Sequence, residues 1–190
     1  MSQTTHAKEK PAPQSWTPAV LVLLASAFFG YLVLPYWSGS HLPKSALVGQ
    51  VAPDFSLPIF HGAEGDSRIK LSALRGNIVV LDFWASWCRP CAVQAGILKD
   101  VVPRHPEDVV FVGVNTADNP DRAREYAERS KLPYVAVLDS GEVADAYGAN
   151  SLPTLVVIDA SGRVVSAASR VMSASELEAA IAQAAESPPG

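Results

Sequence analysis

The sequence contains very little cysteine: Cys88 and Cys91 are the only two among 190 residues. A domain held together by several structural disulfides is therefore excluded. The four histidines are scattered and form no pair at the spacing that is typical of metal ligands. A structural zinc site, which needs four protein ligands, is consequently disfavoured.

Basic residues are also few in relation to acidic ones. Fifteen Lys and Arg stand against nineteen Asp and Glu, which gives a formal net charge of −4. This balance provides no basic surface of the kind that binds a phosphate backbone, so nucleic acid is not an expected partner. The length allows a domain of about 140 residues, large enough to bury a core without disulfides, plus an appendage.

The appendage lies at the N-terminus, where residues 19–37 contain no charged side chain. As a helix this segment would be about 28 Å long, close to the ~30 Å hydrocarbon thickness of a membrane. Tyr36 and Trp37 close it, where membrane proteins place aromatic belts. We therefore predict a cytoplasmic tail (residues 1–17) and an uncleaved transmembrane anchor (residues 18–37), with a cleaved signal peptide as the alternative.

Charges flanking the anchor indicate its orientation. Lys8 and Lys10 precede the anchor, and Lys44 alone follows it at a short distance. This asymmetry favours a cytoplasmic N-terminus and a domain on the periplasmic, extracytoplasmic side of the inner membrane. A linker (residues 38–47), a folded domain (residues 48–186) and a loose tail (residues 187–190) complete the prediction.

Strands and helices alternate along the predicted domain, which indicates an α/β sandwich around a mixed sheet. A glycine turn at residues 159–162 predicts an antiparallel hairpin near the end of the chain, and Ser173 with Glu176 predicts a capping box that opens the last helix. The predicted strands comprise residues 55–57, 78–84, 109–114, 134–138, 154–158 and 163–168. The predicted helices comprise residues 92 to about 103–106, 120–131, 142–147 and 173 onward.

The two cysteines lie between the strand of residues 78–84 and the helix that follows it. Cys88 is then at the helix start, where unpaired N–H groups and the helix dipole stabilise a thiolate, and Cys91 is one turn further on. Such a pair can reduce a partner's disulfide, because one thiolate attacks and the second thiol resolves the mixed disulfide. A purely structural bridge is less favoured, since so short a loop constrains the unfolded chain little.

Three segments resemble a known family. Residues 82–91, DFWASWCRPC, resemble the active-site segment of thioredoxin-fold proteins, and residues 151–159, SLPTLVVID, resemble the segment that contains their cis-proline. Residues 51–57, VAPDFSL, resemble the opening strand of the TlpA/ResA-like, membrane-anchored branch. Together the matches cover residues 48–186 and imply a thioredoxin-like fold: a mixed central sheet flanked by helices, with an extra strand–helix insertion.

The resemblance implies roles for three buried or reactive residues. Cys88 and Cys91 are the expected catalytic pair, joined as a disulfide in the oxidised state. Asp82, in the middle of the apolar strand, is the expected proton acceptor for Cys91, because burial raises the pKa of a carboxyl towards neutral pH. A purely structural strand-end carboxylate is the alternative for Asp82.

Further site residues follow from the same resemblance. Trp87, Leu152 and Pro153 are expected to contact the substrate, with Pro153 in the cis conformation. Arg89 and Pro90 lie between the two cysteines and are expected to tune the redox potential of the pair.

Two positions depart from the family's pattern, and two tyrosines are left without a role. Gln94 stands where related reductants often carry a glutamate, and Gly96 stands where a helix-kinking proline is common. A mechanism that relies on that glutamate cannot be transferred to this chain. Tyr134 and Tyr147 are expected to serve packing rather than function.

The resemblance implies a membrane-tethered thiol–disulfide oxidoreductase that reduces disulfides in extracytoplasmic proteins. The implied partners belong to cytochrome c maturation or copper-oxidase assembly, with a membrane electron donor that re-reduces the pair; a monomer without a cofactor is expected. A thiol oxidant or isomerase of the same fold is the main alternative. A copper metallochaperone and a thiol peroxidase are less favoured.

Overall fold

The computed structural model describes Leu24 and residues 47–63, 67–107 and 109–187. The predicted tail of residues 1–17, the anchor apart from Leu24, the linker up to residue 46 and residues 188–190 lie outside the described residues. Within the described part, no helix has both the length and the apolar character needed to cross a membrane. The described residues from 47 onward belong to one compact unit, to which the following description applies.

The described part of this unit contains seven strands and four α-helices. The strands are β1 (Ser56–His61), β2 (Arg68–Lys70), β3 (Ile78–Trp84), β4 (Val109–Asn115), β5 (Val135–Leu138), β6 (Thr154–Ile158) and β7 (Val164–Ala168). The α-helices are α1 (Arg89–Val101), α2 (Pro120–Ser130), α3 (Glu142–Ala146) and α4 (Ala174–Glu186). Short 3₁₀ turns lie at Leu71–Leu74 and Val102–Arg104.

All seven strands form one mixed sheet in the order β2-β1-β5-β4-β3-β6-β7. The central strands β3, β4 and β5 are parallel, whereas β6 pairs antiparallel with β3 and β1 pairs antiparallel with β5. The predicted hairpin of β6 and β7 is confirmed. The strand that leads into the cysteines is therefore central and has a neighbour on each side.

Strand β3 divides the core into two halves. All seven of its residues are buried. Because side chains alternate along a strand, Val80 and Trp84 pack in one apolar cluster while Leu81 and Phe83 pack in the other. Burial on both faces explains why residues 78–84 form a nearly continuous apolar run, with Asp82 as the exception.

Helices cover the two faces of the sheet unequally. Residues of α1, α2 and α4 belong to the Val80–Trp84 cluster, whereas α3 and the turn at Leu71–Leu74 belong to the other. Helices α1 and α4 pack directly against each other. The mixed sheet and its flanking helices are the architecture that the sequence predicts.

Local signals explain where the helices begin. Asn119 caps α2 by accepting hydrogen bonds from two backbone N–H groups of the first turn, and Pro120 occupies its first position. Ser173 and Glu176 form the predicted capping box of α4. The first strand is longer than predicted, and it pairs with the short strand β2, which the sequence does not predict. A three-residue strand as polar as Arg68–Lys70 carries too little pattern to be recognised.

Candidate functional site: a disulfide at the N-terminus of helix α1

The two cysteines form a disulfide at the start of α1. Cys88 is the N-cap residue of this helix, and the Cα atoms of Cys88 and Cys91 are 5.3 Å apart. The backbone N–H of Cys91 donates a hydrogen bond to the sulfur of Cys88 at 3.2 Å. Pro90 fits within the first turn, where its missing N–H has no helical partner to lose. The predicted disulfide pairing is thus present, in the oxidised state.

Burial differs sharply between the disulfide and its neighbours. Cys88 and Cys91 are 5% and 3% exposed, whereas Trp87 is 63% exposed. Arg89 and Pro90, between the cysteines, are exposed as well. A partner protein would therefore meet the Trp87 ring and the Arg89-Pro90 dipeptide around a largely covered disulfide.

The proline segment lies beside the end of β3. The Leu152-Pro153 peptide bond is cis, as predicted. Thr154, the next residue, is in register with Phe83, so Pro153 lies next to the point where the chain leaves β3 for the cysteines. The Thr154 hydroxyl donates a hydrogen bond to the carbonyl of Ser151 and so stabilises the turn that contains the cis peptide bond.

Trp87 and Leu152 line one open groove, here called the Trp87 groove, with a volume of about 360 Å³. The indole N–H of Trp87 donates to the carbonyl of Ala117 at 2.9 Å, which fixes the orientation of the exposed ring. The remaining lining residues are Thr116, Ala117, Gly141, Ala144, Asp145, Ala149, Asn150 and Ser151. Trp87 and Leu152, two of the three residues predicted to contact the substrate, therefore lie on the same surface.

Asp118, in a loop that the sequence does not single out, supports the turn at Ser86 that leads into the cysteines. The carboxylate of Asp118 accepts hydrogen bonds from both the backbone N–H and the hydroxyl of Ser86, and from the side chain of Asn115. Burial opposes ionisation of Asp118, but these hydrogen bonds and one from Asn119 outweigh it and lower its pKa. A lone Asp in a loop carries no pattern that predicts this contact.

Asp82 is buried, with 3% of its surface exposed. The Tyr134 hydroxyl donates a hydrogen bond to Oδ2 of Asp82 at 2.8 Å. Burial raises the pKa of Asp82 to about 7, although the Tyr134 hydrogen bond acts in the opposite direction. Tyr134, expected to serve packing rather than function, packs in the same core cluster as Trp84, and its hydroxyl is also the hydrogen-bond partner of Asp82. Tyr147 lies in the other half of the core, where its hydroxyl donates to the carbonyl of Pro53.

The two departures from the family pattern, Gln94 and Gly96, both lie within the continuous helix α1. Gln94 is fully buried one turn after Cys91, and its side-chain oxygen accepts the backbone N–H of Met172 at 2.8 Å. Gly96 is exposed on α1, which continues through it to Val101. Gln94 thus ties the active-site helix to the segment that precedes α4 without adding a charge.

Within the described residues, no group of three or more His, Cys, Asp or Glu side chains is arranged to hold a metal ion. The groups available for chemistry among the described residues are the disulfide at the start of α1, the exposed indole of Trp87 beside it and the buried carboxyl of Asp82 on β3. This set supports thiol–disulfide exchange with proton transfer, and it supplies an exposed surface for a partner polypeptide.

Comparison with known proteins agrees with this chemistry. The model of the AhpC/TSA family matches residues 48–167. The thiol–disulfide oxidoreductase ResA of Geobacillus thermodenitrificans is 33% identical over 148 residues, which are 76% of this chain and 81% of that protein. The thiol:disulfide interchange protein DsbE of Xylella fastidiosa is 31% identical over 156 residues, covering 81% of this chain and 77% of that protein.

Solved structures show the same fold. A Chlorobium tepidum protein described as a thiol:disulfide interchange protein DsbE superposes with a TM-score of 0.64 at 30% identity, covering 72% of this chain and 96% of that chain. A secreted Mycobacterium tuberculosis disulfide oxidoreductase superposes with a TM-score of 0.59 at 26% identity, covering 68% of this chain and 95% of that chain. With its disulfide at the head of α1, the chain belongs to the AhpC/TSA family of thioredoxin-fold proteins and is a thiol–disulfide oxidoreductase of the ResA and DsbE type.

Proposed function

We propose that this oxidoreductase works as a reductant of disulfides in partner proteins, with Cys88 as the attacking residue and Cys91 as the resolving residue. The observation that carries the proposal is the placement of the pair: Cys88 caps α1 beside the exposed Trp87, whereas Cys91 lies inside the helix. The outer sulfur is the one that a partner's disulfide reaches first. The inner sulfur is held within bonding distance for the second step.

The proposed reaction conserves atoms and electrons. The Cys88 thiolate attacks one sulfur of the partner's disulfide, which forms a mixed disulfide and releases the first partner thiolate. Cys91 then loses its proton and attacks the Cys88 sulfur, which forms the Cys88–Cys91 disulfide and releases the second partner thiolate. Two electrons pass from the cysteine pair to the partner, whose thiolates take up protons.

Asp82 is the proposed acceptor of the Cys91 proton. It lies two residues from Trp84 on the same face of β3, and Cys91 packs in the cluster that contains Trp84. A carboxyl group with a pKa of about 7 is half ionised at neutral pH, so it can take a proton in one step and return it in another.

The partner's backbone is proposed to lie along the Trp87 groove. Trp87 offers a large exposed aromatic surface at one side of the groove, and Leu152 precedes the buried Pro153 at the other. Aromatic side chains that are exposed yet held in one orientation are typical of protein-binding surfaces.

Burial of the sulfurs supports the reducing direction. A site that stabilises the thiolate of its cysteine pair stabilises the reduced state of that pair. Such a pair accepts electrons readily and therefore acts as an oxidant, as in DsbA. Here both cysteines are nearly buried and the acidic Asp82 lies on the same face of the sheet, which offsets the stabilisation of a Cys88 thiolate by the N-terminus of α1. Arg89 opposes this effect weakly, because solvent and salt screen the charge of an exposed side chain.

The location of the protein belongs to the same proposal. Residues 18–37 are proposed to anchor it in the inner membrane as a monomer, with residues 48–186 on the periplasmic side. A membrane electron donor is proposed to re-reduce the pair. The resemblance favours partners in cytochrome c maturation or copper-oxidase assembly.

The midpoint potential of the Cys88–Cys91 couple tests the direction of electron flow. We expect about −250 mV or lower, near the roughly −270 mV of thioredoxin. The measurement equilibrates the full chain in detergent with glutathione or dithiothreitol buffers and quantifies the free thiols. A value between about −120 and −180 mV would identify an oxidant or isomerase instead.

Trapping of the mixed disulfide tests the assignment of the two cysteines. Cys91→Ser should accumulate Cys88-linked partners that dissociate on reduction, because the resolving thiol is missing. Cys88→Ser is the matched control and should trap none. Equal trapping by both variants would contradict the assigned order of attack.

Labelling in intact cells tests the location. A thiol reagent that does not cross the inner membrane should modify the reduced pair after the outer membrane is made permeable, and the protein should sediment with membranes. Protection of the cysteines until the inner membrane is broken would overturn the proposed orientation.

A further inference from the structure

The two oxygens of the buried Asp82 carboxyl have different surroundings. Oδ2 accepts the hydrogen bond of the Tyr134 hydroxyl at 2.8 Å. Oδ1 is buried, yet it has no hydrogen-bond partner among the described residues. A buried carboxyl that is held at one oxygen and open at the other is oriented, because rotation would break its single hydrogen bond.

A glycine on the neighbouring strand makes the Tyr134 contact possible. Gly113 of β4 is in register with Asp82 of β3. A Cβ atom at Gly113 would lie 2.8 Å from Cε2 of Tyr134 and 2.9 Å from Nε1 of Trp84, closer than such atoms approach. The Tyr134 ring thus occupies the space that a side chain on β4 would otherwise fill beside Asp82.

Among the described residues, no charged side chain contributes to the raised pKa of Asp82. Gly113 on β4 and Leu155 on β6 flank Asp82 in register, and the residues of α4 that face the core are apolar. Helix α1 contributes the two cysteines, and α2 contributes Tyr126, whose ring packs on Trp84. The buried Nε1 of Trp84 and Nε2 of Gln94 likewise have no partner among the described residues, and Tyr134 is the side chain that hydrogen-bonds the Asp82 carboxyl.

We propose that Tyr134 is a positioning residue for thiol–disulfide exchange: its hydroxyl holds Oδ2 of Asp82 so that Oδ1 remains open to take the proton of Cys91. The inference rests on the proposed role of Asp82 as the proton acceptor. In the resolving step the thiol proton passes to Oδ1, the Cys91 sulfur bonds to Cys88, and the partner thiolate leaves. Tyr134 keeps its own proton throughout.

The chemistry of the hydroxyl agrees with this role. Burial and the nearby Asp82 carboxylate both raise the pKa of Tyr134 well above its ordinary value, so the hydroxyl is a permanent donor. A donor stabilises the charged carboxylate and keeps the pKa of Asp82 lower than burial alone would leave it. Loss of the hydroxyl should therefore move proton acceptance by Asp82 to higher pH.

Tyr134→Phe tests the proposal, because it removes the hydroxyl and keeps the ring. The probe is a bis-nitrobenzoate disulfide, which releases one coloured thiolate when Cys88 attacks and a second when Cys91 resolves. For the reduced full chain we expect the rate of the second release to rise with pH and to reach half its plateau near pH 7. In Tyr134→Phe that midpoint should rise by roughly one pH unit, a tenfold change in acidity.

Two comparison variants separate this inference from the proposed function. Tyr147→Phe also removes a buried hydroxyl with a hydrogen bond of similar length, at 2.7 Å to Pro53, and should leave the midpoint in place. Asp82→Asn should slow the second release at least tenfold and flatten its pH dependence. If Asp82→Asn leaves the second release unchanged, the proposed role of Asp82 is wrong.

The titration of Asp82, followed by ¹³C NMR of its carboxyl carbon, provides the second readout. An upward shift of the Asp82 midpoint in Tyr134→Phe, together with the shifted rate profile, supports the proposal. If Asp82→Asn slows the second release while Tyr134→Phe changes neither the rate profile nor the carboxyl titration, Tyr134 only packs and the inference is overturned.

Discussion

At the scale of a single residue, burial of the Asp82 carboxyl raises its pKa, which suits proton transfer but lowers the stability of the protein near neutral pH. Its carboxyl is buried in a strand whose other six residues are apolar, and its pKa is raised from 3.8 to about 7. In the pH range between these values the folded protein binds a proton that the unfolded chain does not. The contribution of Asp82 to stability is therefore greatest in acid and falls as the pH rises towards 7.

Asp82→Asn should remove this dependence on pH. Wild-type protein should lose roughly 2–3 kcal/mol of unfolding free energy between pH 5 and pH 8, at about 1.4 kcal/mol per pKa unit. The variant should lose much less over the same interval. Urea denaturation of the oxidised proteins at both pH values measures the difference, with Asp100→Asn on the exposed side of α1 as the control. Parallel losses in wild type and Asp82→Asn would show that Asp82 is not buried as described.

Asp118 has the opposite dependence, because its pKa is lowered in the folded protein. Its contribution to stability is present above the ordinary carboxyl pKa and is lost as the pH falls through the lower, folded value. The contribution comes from hydrogen bonds to Ser86 and Asn115, next to the turn that carries the cysteines.

Asp118→Asn should cost about 1–3 kcal/mol of unfolding free energy at pH 7, because the Ser86 N–H and hydroxyl lose a charged acceptor. The difference from wild type should shrink below about pH 4, where the Asp118 carboxyl of the unfolded chain takes up a proton, and should vanish below the lower pKa of the folded state. Denaturation curves at pH 3 and pH 7 measure both values. A cost that stays equal at the two pH values would mean that the charge of Asp118 contributes nothing.

At the scale of an element, α1 has the disulfide in its first turn and a helix-destabilising glycine in its interior. Its first turn contains the disulfide, and its inward residues Ala95, Leu98 and Val101 are buried against the sheet and α4. Gly96 interrupts the solvent side of this helix, and a Cβ atom there would have nothing within 4 Å. The helix thus carries a glycine that neither packing nor backbone geometry requires.

Gly96→Ala should stabilise the protein by about 0.5–1 kcal/mol, because alanine loses less backbone entropy in a helix. The midpoint potential should stay unchanged, since the substitution is far from the first turn. Gly113→Ala is the matched contrast and should destabilise by about 1–3 kcal/mol, because its methyl group would overlap Tyr134 and Trp84. Chemical denaturation of both variants distinguishes these effects; a loss of stability in Gly96→Ala would contradict the open surroundings.

For the whole molecule, redox state and stability are linked through the disulfide. A strong oxidant such as DsbA owes its potential to a stabilised reduced form, so a reductant should be more stable when oxidised. The burial of both cysteines against the core fits the second case.

We expect the oxidised full chain to exceed the reduced one by about 1–3 kcal/mol of unfolding free energy, at ~1.4 kcal/mol per 30 mV. Guanidinium denaturation with and without dithiothreitol measures the difference, and Cys88→Ser, which cannot form the disulfide, should show none. Greater stability of the reduced form would point to an oxidant.

The sequence by itself determined the site's chemistry and most of the element order. The apolar run of β3, the cysteine pair after it, the Asn119 cap and the Ser173 capping box are all local patterns, so they could be recognised without a fold. The cis form of Pro153 followed from a resemblance of nine consecutive residues. The short polar strand β2 was missed because its three residues pair only when β1 is beside them.

The tertiary structure alone decided which distant side chains meet at the site. Tyr134 reaches Asp82 across 52 positions, Asp118 reaches Ser86 across 32, and Gln94 reaches Met172 across 78. Periodicity tells which face of an element is buried, but not which residue of another element lies opposite it. The partners of Asp82, Ser86 and Gln94 depend on strand register and helix packing, and these are properties of the assembled sheet.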